Sequence, residues 1–462
     1  MGTVASLRGA INLSLLVQVA SRGMGFLGNV LLLRCLSAEV VGGFTLVAAS
    51  AQSLSSVARF GTDYNYQVSA CALPPAQRGG LQRQFLRWNA WFSAAAALLA
   101  WPLLRPALTP LGTTPWVIAL IIGYLFVESY VDVLWEPVLA NRDYGQVFRR
   151  HLQVAITKAV LPLVLGVWFG WLGVLWGLLL SSALNAAAGM LSLWRLPAAG
   201  GASLPIWQFL KGGLPFYIVP LIQQLVFWPA LLRLGDGHGL ASVGLIKVAQ
   251  LMVQFVGVVP TALAPILIIE SAHGTLESQP RLLKALRGVV LLGVAVFVVY
   301  TLLDTTVLPA LFGPTYKDAV LPARAMVLAA VCSGAIQVFQ QQAFRGVLLL
   351  QLSILQIAVL LILAPIGIGW WLPRWGAEGY AWLSLAVAAI TLLALILWDP
   401  QKLLRRWEHL LPGLALLLTL PLALVVPQGP LAWGLPMLLL GLVAWSMKGW
   451  ISWPLAQFPW QQ

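Results

Sequence analysis

The most constraining feature of this sequence is a series of apolar stretches of roughly 18 to 25 residues, each long enough to cross a bilayer as an α-helix. They recur from one end of the chain to the other. Apolar residues make up 60% of the 462 residues and charged residues only 9%, against about a quarter charged in an average soluble domain. The chain is therefore predicted to be an all-α integral membrane protein.

About fourteen transmembrane helices are predicted from these stretches. Tryptophans at their borders, among them Trp370 and Trp371, are typical of the belts that lie at membrane interfaces. The predicted helices lie at residues 9–33, 40–62, 88–108, 115–137, 153–170, 172–194, 213–234, 242–269, 288–311, 320–344, 347–372, 378–398, 410–427 and 431–451. The first stretch is too long for a signal-peptide core, so we expect it to stay as an anchor.

The net charge of +13, from 27 basic and 14 acidic residues, follows from membrane topology. In a soluble chain such a charge would suggest a nucleic-acid partner. Here most basic residues fall in one set of alternate loops and helix ends. By the positive-inside rule, this set lies in the cytoplasm and both termini are cytoplasmic. No nucleic-acid partner is predicted.

An internal repeat is indicated when the chain is compared with itself at a shift of about 202 positions. Val41-Gly42 then meets Val243-Gly244, and one further position brings Gly173 onto Gly376. This predicts two six-helix lobes, residues 1–200 and 201–400, with two additional helices in 401–462. Six helices per lobe relate the lobes by an axis along the membrane normal, as in transporters that alternate access to a central cleft. Chance matches between glycine-rich helices are the alternative.

Four segments, in this order, resemble the polysaccharide and O-antigen flippases of the multidrug/oligosaccharidyl-lipid/polysaccharide exporter superfamily. The similar features are glycines at helix starts and ends, a terminal proline and a short polar loop. The segments are RCLSAEVVGGFTLVAASAQSLSSVARFGTD (34–63), GLASVGLIKVAQLMVQFVGVVPTALAPIL (239–267), LFGPTYKDAV (311–320) and RWGAEGYAW (374–382). Each motif alone is weak, and the match depends on their order and spacing.

The resemblance implies a flippase of the bacterial cytoplasmic (inner) membrane that moves undecaprenyl-diphosphate-linked oligosaccharide for surface polysaccharide assembly. Such a protein changes no covalent bond, so it is not an enzyme and needs no cofactor. Membrane lipids, a polysaccharide polymerase, and sodium or protons are the expected partners. The alternatives are a cation-coupled multidrug exporter and a flippase for lipid-linked peptidoglycan precursor. A membrane glycosyltransferase or ligase is disfavoured because the predicted outside loops are short.

Four cations are candidates for contact with an anionic substrate. Arg22 and Arg59 lie in or at the edge of the first two apolar stretches, where a guanidinium is costly unless it faces a wet cavity or a partner. They look like counterparts of the cavity arginines of the lipid-linked peptidoglycan precursor flippase, so the resemblance implies contact with a diphosphate. Lys247 and Arg345 are weaker candidates in the second lobe. Structural pairing, or reaching to the interface, is the alternative for all four.

Glu128, Asp132 and Glu136 recur every four residues within the predicted helix 115–137 and so share one face. Carboxylates in this position are candidates for sodium binding or proton relay. The alternatives are that they pair with arginines of the first lobe or only approach the cytoplasmic interface. Asp304 is isolated in sequence and is expected at the interface. The four histidines are scattered, and no metal site is predicted.

Overall fold

The computed structural model describes residues 7–74, 77–112, 114–140, 144–194, 205–272, 278–342 and 347–398. Every regular element within these ranges is a helix, and nine helical segments there are long and apolar enough to cross a bilayer. The predicted all-α membrane class is therefore confirmed. The two predicted C-terminal helices and Arg345 lie outside the described residues.

The helices are numbered in chain order, with short turns of tighter or wider helix between some of them. The turns are Thr109–Leu111, Val133–Trp135, Pro314–Ala319 and the π-helical Gly367–Trp371. The helices are α1 (Leu7–Cys35), α2 (Ala38–Arg59), α3 (Thr62–Ala72), α4 (Arg78–Leu108), α5 (Pro115–Val131), α6 (Glu136–Ala140), α7 (Tyr144–Trp194), α8 (Ile206–His238), α9 (Leu240–Ala272), α10 (Ser278–Phe312), α11 (Val320–Gln342), α12 (Val347–Ile366), α13 (Leu372–Trp375) and α14 (Ala377–Trp398).

The predicted helix 115–137 changes to a tighter helical turn near its end in the structure, although Pro115–Val138 remains one apolar membrane-spanning segment. Helix α5 ends at Val131 and is followed by the 3-10 turn Val133–Trp135 and the short helix α6. Pro137 lacks an N–H and so cannot donate a helical hydrogen bond to the carbonyl of residue 133. Asp132 and Glu136 both keep right-handed helical φ and ψ angles, and Glu136 lies near enough to Arg59 to act on it electrostatically, as Asp132 does.

The helices form two compact units, residues 1–247 and 248–462. In the first unit, α2 packs against α4, α5 and α8, and α7 packs against α1 and α5. In the second unit, α11 packs against α10 and α14, and α12 packs against α14. The division falls within α9, after Lys247, because α8 packs on α2, α3 and α4 and so belongs to the first unit. The lobe boundary at residue 200 stays a prediction.

Each unit contains a tight helical hairpin. In the first unit α7 turns back at Gly170, whose φ of 58° and ψ of −137° only glycine adopts readily. In the second unit Gly376 separates α13 from α14 with a φ of 52° and a ψ of −122°. Three residues later, Gly173 and Gly379 each face a backbone carbonyl of the preceding arm. The backbone thus equates Gly170 with Gly376, whereas the sequence comparison matched Gly173 with Gly376.

The starts of α2 and α9 cross in close and reciprocal contact within the first unit. A Cβ atom on Gly42 would overlap the carbonyl oxygen of Leu240. A Cβ atom on Gly244 would lie 2.9 Å from the carbonyl oxygen of Ala38. The Val-Gly pair that is repeated in the sequence therefore serves the same purpose on both helices, which is to let two backbones approach.

Replacing Gly42 with alanine should lower the thermal unfolding midpoint of the purified protein in detergent. The added methyl group meets backbone that cannot rotate away, and overpacking of this kind costs about 1–3 kcal/mol. Gly123→Ala is the matched control, because a Cβ there would lie 3.8 Å from a Leu179 methyl group, an ordinary contact. Alanine also gains up to about 1 kcal/mol of helix propensity over glycine. Equal midpoints for the two variants would contradict the close crossing.

Candidate functional site

A cluster of charged side chains joins α2, α3, α5 and α7 in the first unit. Asp132 stands between two guanidinium groups: Nη2 of Arg59 lies 3.8 Å from one carboxylate oxygen, and Arg150 donates a hydrogen bond to the other. Arg59 also lies 3.6 Å from Asp63. These four residues are called the Asp132 cluster below. Two cations thus converge on one carboxylate among membrane-spanning helices.

The end of α2 is shaped so that Arg59 and Asp63 meet. Phe60 adopts the left-handed conformation (φ 46°), and its N–H donates to the carbonyl of Ser56, which closes the last turn. Gly61 continues with a φ of 74°, and α3 begins at the next residue. The Arg59 Nε donates to the Ser55 carbonyl at 3.2 Å, which leaves its two Nη groups for the carboxylates.

Arg150 packs against the 3-10 turn between α5 and α6. Its guanidinium lies 5.3 Å from the ring centroid of Trp135, which belongs to the 3-10 turn. A cation over an indole face is favoured by the ring quadrupole. The Nε of Arg150 is buried and finds no hydrogen-bond acceptor within the described ranges.

A second charged pair lies one helical turn earlier on α5. Glu128 accepts a hydrogen bond from Lys158 on one oxygen and from the Ser182 hydroxyl, at 2.5 Å, on the other. Lys158 comes from the first arm of the α7 hairpin and Ser182 from the second arm. The Oδ1 of Asn185, buried on that second arm, has no partner among the described residues. The hairpin thus supplies both the cation and the hydroxyl that hold Glu128.

Contacts of α1 fix its register on the first arm of α7. A Cβ on Gly28 would overlap Ala159, and a Cβ on Gly166 would lie 3.4 Å from a Leu36 methyl group. Since both positions advance together along the two helices, α1 and this arm run parallel. A residue on α1 therefore lies at the depth of the α7 residue whose number is about 130 higher.

By this register, Arg22 lies at the depth of Gln153, between Arg150 and Lys158 along α7. The Arg22 side chain is half-buried. Gly25, one turn further on the same face, has open space beside it, because a Cβ there would meet no heavy atom within 4 Å. The structure therefore brings Arg22 to the level of the two charged pairs.

Lys247 is not part of this group. Its ammonium lies 5.2 Å from the ring centroid of Phe44, near the start of α2. Phe44 and Arg59 are 15 residues apart on α2, which corresponds to about 22 Å along the helix axis. Lys247 and Arg59 therefore lie near opposite ends of α2. Arg345 falls outside the described residues.

Arg150 and Lys158 were missed as site residues because sequence reasoning assigned both to membrane topology. Their spacing of eight residues places them on one face of α7, which is a signal that the sequence contained. Asp63 was not among the site residues proposed from the sequence. For Glu128 and Asp132, the structure shows pairing with basic residues of α2 and α7, an alternative that the sequence had left open. Glu136 is half-buried at the start of α6.

Asp304 forms a buried ion pair in the second unit, and its predicted position at the interface is wrong. Arg324 donates to both carboxylate oxygens, at 2.9 Å from Nη2 to Oδ1, and also to the carbonyl of Thr301 at 3.2 Å. The side chains of Asp304 and Arg324 are 0% and 1% exposed. No group of three or more histidine, cysteine or acidic residues able to hold a metal occurs in the described part of the chain.

No family model matches the sequence, and no curated protein matches it. Solved structures do share its fold. Lipid II flippase MurJ in an inward closed conformation gives a TM-score of 0.68 at 14% identity, over 96% of this chain and 100% of that one. An inward-facing MATE multidrug-resistance transporter of the MOP superfamily gives a TM-score of 0.58 at 16% identity, over 87% of this chain and 96% of that one. A MOP-superfamily transporter from Pyrococcus furiosus Vc1 gives a TM-score of 0.56 at 16% identity, over 87% of this chain and 99% of that one.

These likenesses establish the fold of the chain. It is a multi-pass membrane protein with the architecture of MurJ and of the MATE transporters.

Substituting Asp304 with asparagine should strongly destabilise the protein, because Arg324 would remain buried without a counter-charge. Breaking a buried pair by removing one partner costs about 3–5 kcal/mol. The measurement is the thermal unfolding midpoint in detergent, with Asp236→Asn, an exposed carboxylate on α8, as the control. A double variant, Asp304→Leu with Arg324→Met, should recover much of the loss. A small effect of Asp304→Asn would show that the pair is hydrated.

Proposed function

We propose that this protein is a flippase that carries undecaprenyl-diphosphate-linked oligosaccharide across the bacterial cytoplasmic membrane for surface polysaccharide assembly. The observation that carries the proposal is the convergence of Arg59 and Arg150 on Asp132, with Arg22 at the same depth, inside a fold shared with a lipid flippase. Both termini in the cytoplasm, and a polysaccharide polymerase as a partner, belong to the same proposal.

The chemistry of the Asp132 cluster suits a diphosphate. A guanidinium presents paired N–H donors whose geometry matches two phosphate oxygens, and charge-assisted bonds of this kind are short and strong. The Asp132 side chain is 42% exposed, against 21% for Arg59 and 13% for Arg150. The carboxylate therefore stands on the open side of the two cations, where a phosphate group would replace it.

Replacement of Asp132 by a substrate phosphate gives a physical basis for coupling transport to a proton or a sodium ion. Asp132 and the substrate diphosphate would compete for the same two guanidinium groups. A proton or a sodium ion that neutralised Asp132 would release both arginines to the substrate, and its departure would restore the internal pairs and expel the diphosphate. Glu128, which holds Lys158, would act in the same way one turn away. Transport would proceed by alternating access of the two predicted lobes.

The residues of the Asp132 cluster do not distinguish between the possible lipid-linked cargos. MurJ is a lipid II flippase, and lipid-linked peptidoglycan precursor shares the diphosphate that the Asp132 cluster would bind. The two cargos differ in the groups attached beyond the diphosphate. An experiment on this protein must therefore offer both.

A cation-coupled multidrug exporter is the second candidate, and the charge balance of the site favours it. Arg22, Arg59, Arg150 and Lys158 are matched in number by Asp63, Glu128, Asp132 and Glu136, so the region is not cationic overall. For the Pyrococcus furiosus transporter, reversed polarity of the binding pocket suggests a different function. The sign of charge that the substrate carries is therefore the property that separates the two candidates.

The test is translocation of fluorescent lipid-linked substrates in proteoliposomes, with undecaprenyl-diphosphate oligosaccharide and lipid II offered separately. Arg59→Gln and Arg150→Gln should each reduce the initial rate about 10- to 100-fold, because a hydrogen bond to a charged group contributes about 1.5–3 kcal/mol. Arg105→Gln, at an exposed arginine near the end of α4, should leave the rate unchanged at matched protein levels.

Failure to move either lipid, together with uptake of an organic cation dye that survives Arg59→Gln, would replace the flippase proposal with the exporter. Movement of lipid II but not of the oligosaccharide lipid would keep the mechanism and change the cargo.

Coupling is tested with Asp132→Asn, which removes the charge and keeps the shape of the side chain. In the proposed competition, this variant should still translocate substrate, but its rate should no longer respond to an imposed proton or sodium gradient. The wild-type rate should respond to one of the two. Glu39→Gln, at an exposed residue on α2, should retain the wild-type response. A gradient response that persists in Asp132→Asn would remove this residue from the coupling step.

A further inference from the structure

A pocket of about 410 Å³ lies on the second unit, beside the hairpin that turns at Gly376. One end of the pocket is aromatic and acidic, and the other end is aliphatic. Its lining residues are Trp371, Trp375, Glu378 and Trp382 at the first end, and Leu385, Ala386 and Ala389 at the second. None of these residues belongs to the site proposed above.

The hairpin explains why three indole rings and one carboxylate line the same pocket. The π-helical turn Gly367–Trp371 leads directly into α13, where Trp371 and Trp375, four residues apart, stack with ring centroids 6.4 Å apart. Glu378 lies in the first turn of α14, and Trp382 follows it by one turn on the same face. A π-helical insertion of this kind is frequently found at functional sites.

Glu378 is half-buried, and neither a hydrogen bond nor an ion pair to it is found among the described side chains. Asp318 lies near enough to act on it electrostatically, which adds to the negative potential. The neighbouring cation, Arg374, packs its guanidinium over the ring of Trp370 at 4.7 Å. Indole faces around a carboxylate bind an organic ammonium group through cation–π and charge attraction together.

The aliphatic end of the pocket continues along α14. Leu393 and Leu397, 45% and 77% exposed, extend the face of Ala389 at helical spacing. A ligand that fills the whole feature therefore has an ammonium head and a hydrocarbon tail. Tryptophan-rich surfaces of membrane proteins lie at the depth of lipid head groups, which places the aromatic end beside them.

We propose that this pocket binds one phospholipid with a primary-amine head group, such as phosphatidylethanolamine. The ammonium lies between Glu378 and the indole rings, the phosphate is within reach of Arg374, and one acyl chain follows α14 past Ala389. A lipid with an anionic head group, such as phosphatidylglycerol, is excluded by Glu378 and Asp318. The site is a fixed lipid site and is independent of the transport cargo.

Photo-cross-linking of the full-length protein in nanodiscs tests the proposal. A p-benzoylphenylalanine probe replaces Ala386 in the pocket, and the membrane contains equal phosphatidylethanolamine and phosphatidylglycerol. Mass spectrometry should find the adduct on the ethanolamine lipid in at least fivefold excess. Glu378→Gln should abolish that preference, and Glu39→Gln, a matched carboxylate on α2, should preserve it. Trp382→Phe should retain the adduct, and Trp382→Leu should lose it.

Three results would overturn the proposal. The first is equal labelling of the two lipids, and the second is a lipid preference unchanged in Glu378→Gln. The third is cross-linking to peptides from residues 399–462, which would show that the chain's own C-terminal segment occupies the pocket. Native mass spectrometry of the protein without the probe gives a separate reading, in which retention of phosphatidylethanolamine should exceed that of phosphatidylglycerol and should fall in Glu378→Gln.

Discussion

The high cost of an unpaired charge among membrane helices determines where the charged side chains of this protein lie. Arg59 and Arg150 share Asp132, Lys158 is bonded to Glu128, and Arg324 is bonded to Asp304. Each pair joins side chains from different helices, so each also fixes how those helices pack. Because desolvated cations and carboxylates hold one another, a charged substrate must interact with one of these side chains more strongly than its internal partner does. The same ion pairs therefore affect both substrate binding and conformational stability.

The helical class and most helix positions could be predicted from apolar run length, because each membrane-spanning helix must satisfy its own backbone. The 3-10 turn at residues 133–135 could not, since Pro137 had been read as part of a long apolar helix. The short helix α3 was also missed because its sequence is too polar to register as a membrane span. Both elements lie beside residues of the Asp132 cluster. The irregular backbone was therefore hardest to predict next to the charged side chains of the candidate site.

The candidate site was predicted in part. Arg22, Arg59 and Asp132 lie in one region of the first unit, and a role in substrate binding stays a proposal. Lys247 lies elsewhere, near the start of α2. The position of a residue within its own helix does not reveal which end of a neighbouring helix the residue contacts. The pairing of Asp304 with Arg324 links residues on separate helices that have no common periodicity. Such pairs depend on tertiary packing, and a single sequence contains no local signal for them.

The spacing between the two glycine features differs in the two halves of the chain. The reciprocal crossing relates Gly42 to Gly244, and the hairpin relates Gly170 to Gly376. The second half is therefore longer between these landmarks by four residues, close to the 3.6 residues of one helical turn. An insertion of that length rotates the following helix by only about 40°. Matched helices in the two halves can therefore differ in length by a turn and still present nearly the same face to the lipid.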